Sequence, residues 1–75
     1  MKASQVHGLD DAQLVEHVRD ARQEVLNLRF QLATGQLENT SRLRAAKVDL
    51  ARAMTVARQR GIDVETEIRR QSRND

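Results

Sequence analysis

The fold is decided by residues 25–40, which read VLNLRFQLATGQLENT. Apolar and polar residues alternate up to Leu32, and this short stretch alone would suit a half-buried strand. A helical period, however, begins eleven residues earlier at Leu14 and runs through the stretch without a breaker. We therefore predict the end of a long helix here. Gly35 can adopt the left-handed conformation that closes many helices, which places the helix end at Thr34.

The beginning of this first helix is marked by Asp10 and Gln13, which have the spacing of a capping box. Apolar residues then recur at steps of three or four and form one narrow stripe. The stripe consists of Leu14, Val18, Ala21, Val25, Leu28 and Leu32. We predict helix one over about residues 10–34, with this stripe packed against another helix.

A second helix is predicted over about residues 40–60, because Asn39 or Thr40 can cap its start and Gly61 can end it. Its apolar face consists of Leu43, Ala46, Leu50, Ala53, Met54 and Ala57. The alanines on this face would let the two helix axes approach closely. The predicted fold is all-α: an antiparallel, coiled-coil-like two-helix hairpin in residues 1–61, with its turn at 35–39.

Residues 62–75 are expected to form a short C-terminal extension that is flexible or briefly helical. Asp63 can cap a turn or two of helix, in which Val64 and Ile68 lie one turn apart. The last seven residues, from Arg69 onward, have no apolar anchor, and we expect them to be mobile unless they are bound.

Size and composition exclude several classes of protein. The chain has 75 residues, no cysteine and one aromatic residue, Phe30, so its core must be thin and a deep substrate pocket is not expected. Without cysteine there is no disulfide framework and no thiolate metal site. We find neither a membrane-length apolar run nor a signal peptide, and we expect a cytoplasmic protein without a cofactor.

The charges are distributed unevenly along the chain. Residues 1–38 carry four basic and six acidic side chains, whereas residues 39–75 carry nine basic and five acidic ones. Within residues 39–60 the balance is six basic to one acidic. We therefore expect the second helix to face a polyanion.

Helix two places several polar residues in one sector beside its apolar face, and this sector is largely without acids. They are Arg44, Lys47, Arg52, Thr55 and Arg58. Such a strip can run along the phosphates of an RNA. The alternative is an ordinary solvated face, but the one-sided charge balance favours RNA.

The turn carries a second group of polar residues, whose side chains and accessible backbone suit irregular RNA with exposed base edges and 2′-hydroxyl groups. The group consists of Arg29, Gln31, Thr34, Gly35, Gln36 and Asn39. The alternative is that these residues simply cap two helices, and composition alone favours this alternative.

Helix one also has a second apolar strip, formed by Val15, Leu26, Phe30 and Ala33. One partner helix cannot cover both this strip and the main stripe. Either the C-terminal segment folds over it, or Leu26 and Phe30 meet a neighbouring protein or RNA; a simple broad core is the common explanation for a lone phenylalanine. Val15, Leu26 and Phe30 are the candidate protein-neighbour surface.

Signals for catalysis are weak. His7 and His17 do not have the i, i+4 spacing of metal ligands, and we interpret both as plain surface residues. No nucleophile has a recognisable base, and the glycines form no phosphate-binding loop. We predict that the chain is not an enzyme and has no small-molecule substrate.

The run NLRFQLATGQLEN at residues 27–39 closely resembles the signature of bacterial large-subunit ribosomal protein 29. Arg42-Leu43-Arg44 and Leu50-Ala51-Arg52 follow at the family spacing. The resemblance covers about residues 8–60, including Gly8-Leu9-Asp10-Asp11 at the start of helix one and Thr55 near the end of helix two.

This resemblance implies a structural constituent of the large ribosomal subunit that binds large-subunit ribosomal RNA and supports translation. It also implies a position near the polypeptide exit tunnel, beside ribosomal protein 23 and close to trigger factor and the signal recognition particle. The RNA-contacting residues that it implies are Arg29, Gln31, Thr34, Gly35, Gln36, Asn39, Arg42, Arg44, Arg52 and Thr55.

The chain departs from the family pattern in two places. Family members often carry two adjacent basic residues before an acid, where this chain has Lys47-Val48-Asp49, so one phosphate contact is missing or replaced by an apolar one. Beyond Gly61 we see no family match.

The competing hypothesis is a helical interaction module. A homodimeric coiled coil could use the stripe from Leu14 to Leu32 between two chains instead of within one. That hypothesis explains the stripe but leaves the basic strip and the glutamine-containing turn without a purpose.

Overall fold

A computed structural model describes residues 3–37 and 39–73. The described residues form the helices α1 (Ala3–His7), α2 (Asp11–Ala33), α3 (Ser41–Gln59) and α4 (Val64–Arg73), joined by turns. The two long helices, α2 and α3, pack against each other as an antiparallel hairpin. The predicted all-α hairpin with a short C-terminal extension is confirmed.

Local side-chain chemistry sets the bounds of α2. The backbone N–H of Gln13 donates to Asp10 Oδ1 at 2.7 Å, and the backbone N–H of Asp10 donates to Gln13 Oε1 at 3.1 Å, so the predicted capping box is present. At the other end Gly35 has a φ of +78°. The N–H of Gln36 donates to the Gln31 carbonyl at 2.8 Å, which closes the helix in a Schellman motif.

Helix α3 is also bounded by a polar side chain at its start and by a glycine at its end. Thr40 occupies the N-cap position but its side chain makes no capping bond; Asn39 Oδ1 instead accepts from the N–H of Ser41 at 2.9 Å. Gly61 has a φ of +73°, and the N–H of Ile62 donates to the Ala57 carbonyl at 2.9 Å. The predicted helix end at Gly61 is confirmed.

Two clusters of buried side chains form the core. The larger consists of Val6, Leu14, Val18, Ala53, Val56, Ala57 and Val64, with Leu9, Leu50, Met54, Ile62 and Ile68 packed against it. The smaller consists of Val25, Leu28 and Leu43, with Leu37, Ala46 and Leu50 against it.

The prediction that the apolar stripe of helix one packs against another helix is wrong at Leu32, whose side chain is 41% exposed. This residue lies one turn beyond Leu28, which packs on Leu43 in the first turn of α3, so there is no further α3 to cover it. Val56 is buried although it was not predicted to be, because α1 covers it.

Helix α1 was not predicted. The side chain of Val6 is completely enclosed in the larger cluster, and α1 packs against α3. A helix of five residues carries too little periodicity to be recognised from its sequence.

Helix α4 extends to Arg73, further than the turn or two that the sequence predicts. Asp63 does cap it: Thr66 donates to the carboxylate through its hydroxyl at 2.7 Å and through its backbone N–H at 3.3 Å. Val64 is buried in the larger cluster. Asn74 and Asp75, for which we expect mobility, lie outside the described residues.

An ion pair ties α4 to α2, because the Arg22 guanidinium donates to Glu65 Oε1. This hydrogen bond holds the pKa of Glu65 below its ordinary value. The Thr66 hydroxyl does the same for the pKa of Asp63. Both carboxylates therefore favour the docked helix when they are ionised.

Candidate nucleic-acid interface

The packing of α3 on α2 fixes which of its side chains point outward. Leu43, Ala53 and Ala57 are buried against the rest of the hairpin. The outward row consists of Arg44, Lys47, Arg52, Thr55 and Arg58, all exposed; we call it the cationic row. From its first to its last residue it spans ~21 Å at the rise of an α-helix, long enough to face several phosphates.

The charges of the cationic row are not compensated within the part of the chain that the structure describes. None of its four basic side chains takes part there in a hydrogen bond or an ion pair. Asp49, the one acid of residues 39–60, is half-buried on the α2 side, where Oδ2 lies 3.1 Å from His17 Nε2. The helix therefore turns its acid inward and its cations outward.

His17 accordingly differs from the prediction that it is a plain surface residue. Its side chain is 17% exposed, and Nε2 lies 3.1 Å from Asp49 Oδ2 on the facing helix. The sequence does not reveal this pair, because its partners are 32 positions apart and meet only when α2 and α3 pack. His7 is exposed, as predicted.

Two other basic residues of this region have partners. Arg60 donates to the carbonyls of Leu9 at 2.6 Å and His7 at 2.9 Å, and lies 3.3 Å from Asp11 Oδ1. These contacts connect the end of α3 to the link between α1 and α2, so the Arg60 guanidinium stabilises the packing of these helices. Arg42 lies 3.9 Å from Glu24, a loose and exposed pair.

The turn uses part of its polar group for capping. The Thr34 hydroxyl donates to the Phe30 carbonyl at 3.1 Å, and Asn39 caps α3 as described. Gln31 is half-buried, whereas Arg29 and Gln36 are exposed. The structure brings these residues together at one end of the hairpin, next to Arg42 at the start of α3.

Part of the second apolar strip is covered by this chain, and part of it is exposed. Val15 is only 3% exposed, so its prediction as a protein-neighbour surface is wrong. The cause is α4, which folds over it together with the link from Arg60 to Asp63. Leu26 and Phe30 lie beyond the reach of α4 and are 53% and 69% exposed.

The described residues offer little for catalysis. No group of three or more His, Cys, Asp or Glu side chains among them is placed to hold a metal ion. No helix that the structure describes is long and apolar enough to cross a membrane. Fold and surface together define a small helical hairpin protein whose outer face is suited to a polyanion.

Comparison with known proteins identifies the family of this chain. The family model described as "Ribosomal L29 protein" matches residues 4–60, and the chain belongs to this family. The match includes α1, which the resemblance in the sequence did not cover, and it ends before α4.

Several curated relatives carry the name "Large ribosomal subunit protein uL29". The one from Streptomyces avermitilis is 49% identical over 65 residues, which is 87% of this chain and 88% of the relative. The one from Brevibacillus brevis is 48% identical over 64 residues, or 85% of this chain and 98% of the relative. The one from Staphylococcus aureus strain JH9 is 46% identical over 63 residues, or 84% and 91%.

Proposed function

We propose that this chain is a structural constituent of the large ribosomal subunit and that α3 binds large-subunit ribosomal RNA through the cationic row. The names of the relatives support the assembly, and the exposed, unpaired basic side chains of the row support RNA as the partner. The single observation that carries the proposal is that α3 turns its one acid inward and its cations outward.

The mechanism is electrostatic cross-bridging. The apolar contacts pack α3 against α2, so the backbone positions of the arginines keep a fixed spacing along the helix. Each phosphate that they neutralise releases counterions, and the affinity should fall with salt with a log–log slope of about −3 to −5. Lys47 and Arg58 extend the row to residues that the family resemblance does not imply.

The turn contributes a second contact in this proposal. Arg29 and Gln36 are exposed, the Gly35 backbone is accessible, and Gln31, Thr34, Asn39 and Arg42 surround them. Capping does not exclude an RNA contact for Thr34 or Asn39, because both remain exposed. Donors in such mixed orientations suit irregular RNA.

The family resemblance supports a finer location, which we also propose. The chain lies near the polypeptide exit tunnel beside ribosomal protein 23, close to trigger factor and the signal recognition particle. The exposed Leu26 and Phe30 would then meet a neighbouring protein, since two large apolar side chains on one helix face remain uncovered by this chain.

Binding of the full chain to a large-subunit ribosomal RNA fragment across a salt series tests the proposal. We expect Arg44→Glu with Arg52→Glu to lower the affinity and to reduce the salt slope by about 2. A matched control is Arg19→Glu with Arg70→Glu, which makes the same charge change away from the row and should retain most of the affinity. Equal losses in both pairs would contradict a specific interface.

The structure removes the reason for the alternative, a homodimeric coiled coil. The seam residues Leu14, Val18 and Leu28 are buried by α3 of the same chain and are not available to a second copy. We expect a molecular mass in solution that is monomeric and independent of concentration.

A further inference from the structure

A cleft between α1 and α3 lies directly beside the cationic row. It has a volume of about 330 Å³, and its floor includes the fully buried Val6. Val48 and Ala51 line the cleft as well, together with His7 and Arg52. The lining therefore combines apolar side chains with one cationic side chain.

The lining of this cleft has no acidic residue among those that the structure describes. The cleft along the start of α2 carries Glu16 and Asp20. The cleft between α2 and α4 carries three acids together with Arg60 and Arg70, and the groove on the other side of Val48 carries Asp49. The cleft between α1 and α3 differs from these three because the residues described in its lining include a cation and no acid.

Val48 marks the centre of the site. This apolar residue is 46% exposed because it lies on the outward face of α3. Arg44 and Arg52 lie one helical turn to either side of it. An exposed apolar side chain between two unpaired arginines lowers solubility, and it makes no favourable contact with a phosphate group. It can contribute to binding when the ligand has both anionic and apolar parts.

We propose that this cleft receives the base of one unpaired nucleotide of an RNA whose phosphates lie on Arg44 and Arg52. The inference rests on the proposed function, because it assumes that RNA covers the cationic row. Proteins that read single-stranded or bulged RNA hold splayed bases by stacking and by apolar contact. Here the base lies on Val48 and Ala51, and the His7 imidazole can stack on its other face.

A polar group at the edge of the cleft suits the same ligand. The Thr55 hydroxyl donates to the Ala51 carbonyl at 2.8 Å, which leaves its oxygen as an acceptor for an exocyclic amino group or a 2′-hydroxyl. An amphipathic partner helix fits less well, since it needs anchors over several turns, whereas this cleft offers room for about one ring.

The test compares two probes of equal charge and length: an eight-nucleotide oligoadenylate and an abasic phosphodiester chain. The full chain should bind the oligoadenylate about fivefold more tightly, at the low end of what stacking one base contributes. Ala51→Leu, which fills the cleft without changing the charge, should remove this preference. Ala12→Leu, which adds the same bulk on α2 outside the cleft, should keep it.

The outcomes separate the two proposals. If the chain binds both probes equally, or if Ala51→Leu keeps the preference, the base site is overturned while the cationic row stands. If the chain binds the large-subunit ribosomal RNA fragment but neither short probe, the base site is overturned while the cationic row stands. If it binds neither the fragment nor the probes, the proposed function fails and the base site fails with it. A glutamate-rich peptide that binds as tightly as the oligoadenylate, and loses affinity with Ala51→Leu, would make the cleft a peptide site and overturn the proposal.

A second measurement does not depend on the variants. In the wild-type complex, nuclear Overhauser effects should connect the Val6 and Val48 methyl groups to adenine ring protons. A tight complex that shows such effects only at other side chains would overturn the proposal.

Discussion

The two ends of the hairpin differ in how completely they are covered. At the end where α1 and α4 lie, which we call the closed end, seven buried side chains form one cluster. At the turn end the buried cluster among the described residues consists of Val25, Leu28 and Leu43, and Leu26, Phe30 and Leu32 face outward. The comparison shows that the side chains of this chain cover one end more completely than the other.

The difference also orders the roles of the helices. At the closed end α3 packs against α1 and α2, which sets the backbone positions of the cationic row. The turn end exposes Leu26, Phe30 and Leu32.

The largest expected effect comes from the closed end. Leu14→Ala should lower the free energy of unfolding by about 2–5 kcal/mol, because a fully buried leucine leaves a cavity. Leu32→Ala should cost less than about 1 kcal/mol, because that side chain is already 41% exposed. Urea unfolding followed by circular dichroism measures both values. Equal costs would contradict the comparison of the two ends.

Removal of α4 should have the next largest effect. A chain that ends after Ile62 loses the burial of Val64 and uncovers Val15, and we expect a loss of about 2–3 kcal/mol in the free energy of unfolding. A chain that ends after Gln71 keeps these contacts and serves as the control. An unchanged stability in the shorter chain would show that α4 does not brace the closed end.

Arg60 offers a smaller test. Arg60→Met keeps most of the side-chain volume but removes the hydrogen bonds to the carbonyls of His7 and Leu9. We expect a loss of about 1–2 kcal/mol, since charge-assisted bonds at a partly exposed site are weakened by water. Arg58→Met, one position from the same helix end but without such bonds, should stay within about 0.5 kcal/mol of the wild type.

The smallest effect is the pH dependence of α4 docking. The pKa values of Asp63 and Glu65 are lowered in the folded chain, so the stabilisation is present at neutral pH and is lost as the pH falls through the lowered values. Acid should therefore weaken the docking of α4 below about pH 4. Glu65→Gln should show a shallower fall in unfolding free energy between pH 6 and pH 3; an equally steep fall would contradict the role of the Arg22 pair.

The sequence predicts the features that depend on near neighbours. The capping box of Asp10 and Gln13, the helix ends at Gly35 and Gly61, and the apolar period from Leu14 are all visible within a few positions, and the structure contains them. The cationic row was likewise predictable, because helical spacing alone places its residues on one face of α3.

The features that were missed depend on distant partners. Arg60 and its acceptor carbonyls are more than 50 positions apart, and only the packing of α1 against the end of α3 brings them together. The burial of Val15 and the pairing of His17 with Asp49 have the same origin. Composition could not distinguish Arg60 from the arginines of the cationic row, since the charge is the same and only the surroundings differ.

The most direct test of the account is to ask which side of the hairpin faces RNA in the assembled large subunit. The chain has no cysteine, so Ala45→Cys on the outer face of α3 and Gln23→Cys on α2 each give one attachment point for an iron chelate. Hydroxyl radicals generated at position 45 should cleave large-subunit ribosomal RNA strongly, and those from position 23 much more weakly. Equal cleavage from both positions, or none from position 45, would contradict the assignment of the cationic row as the RNA-binding surface.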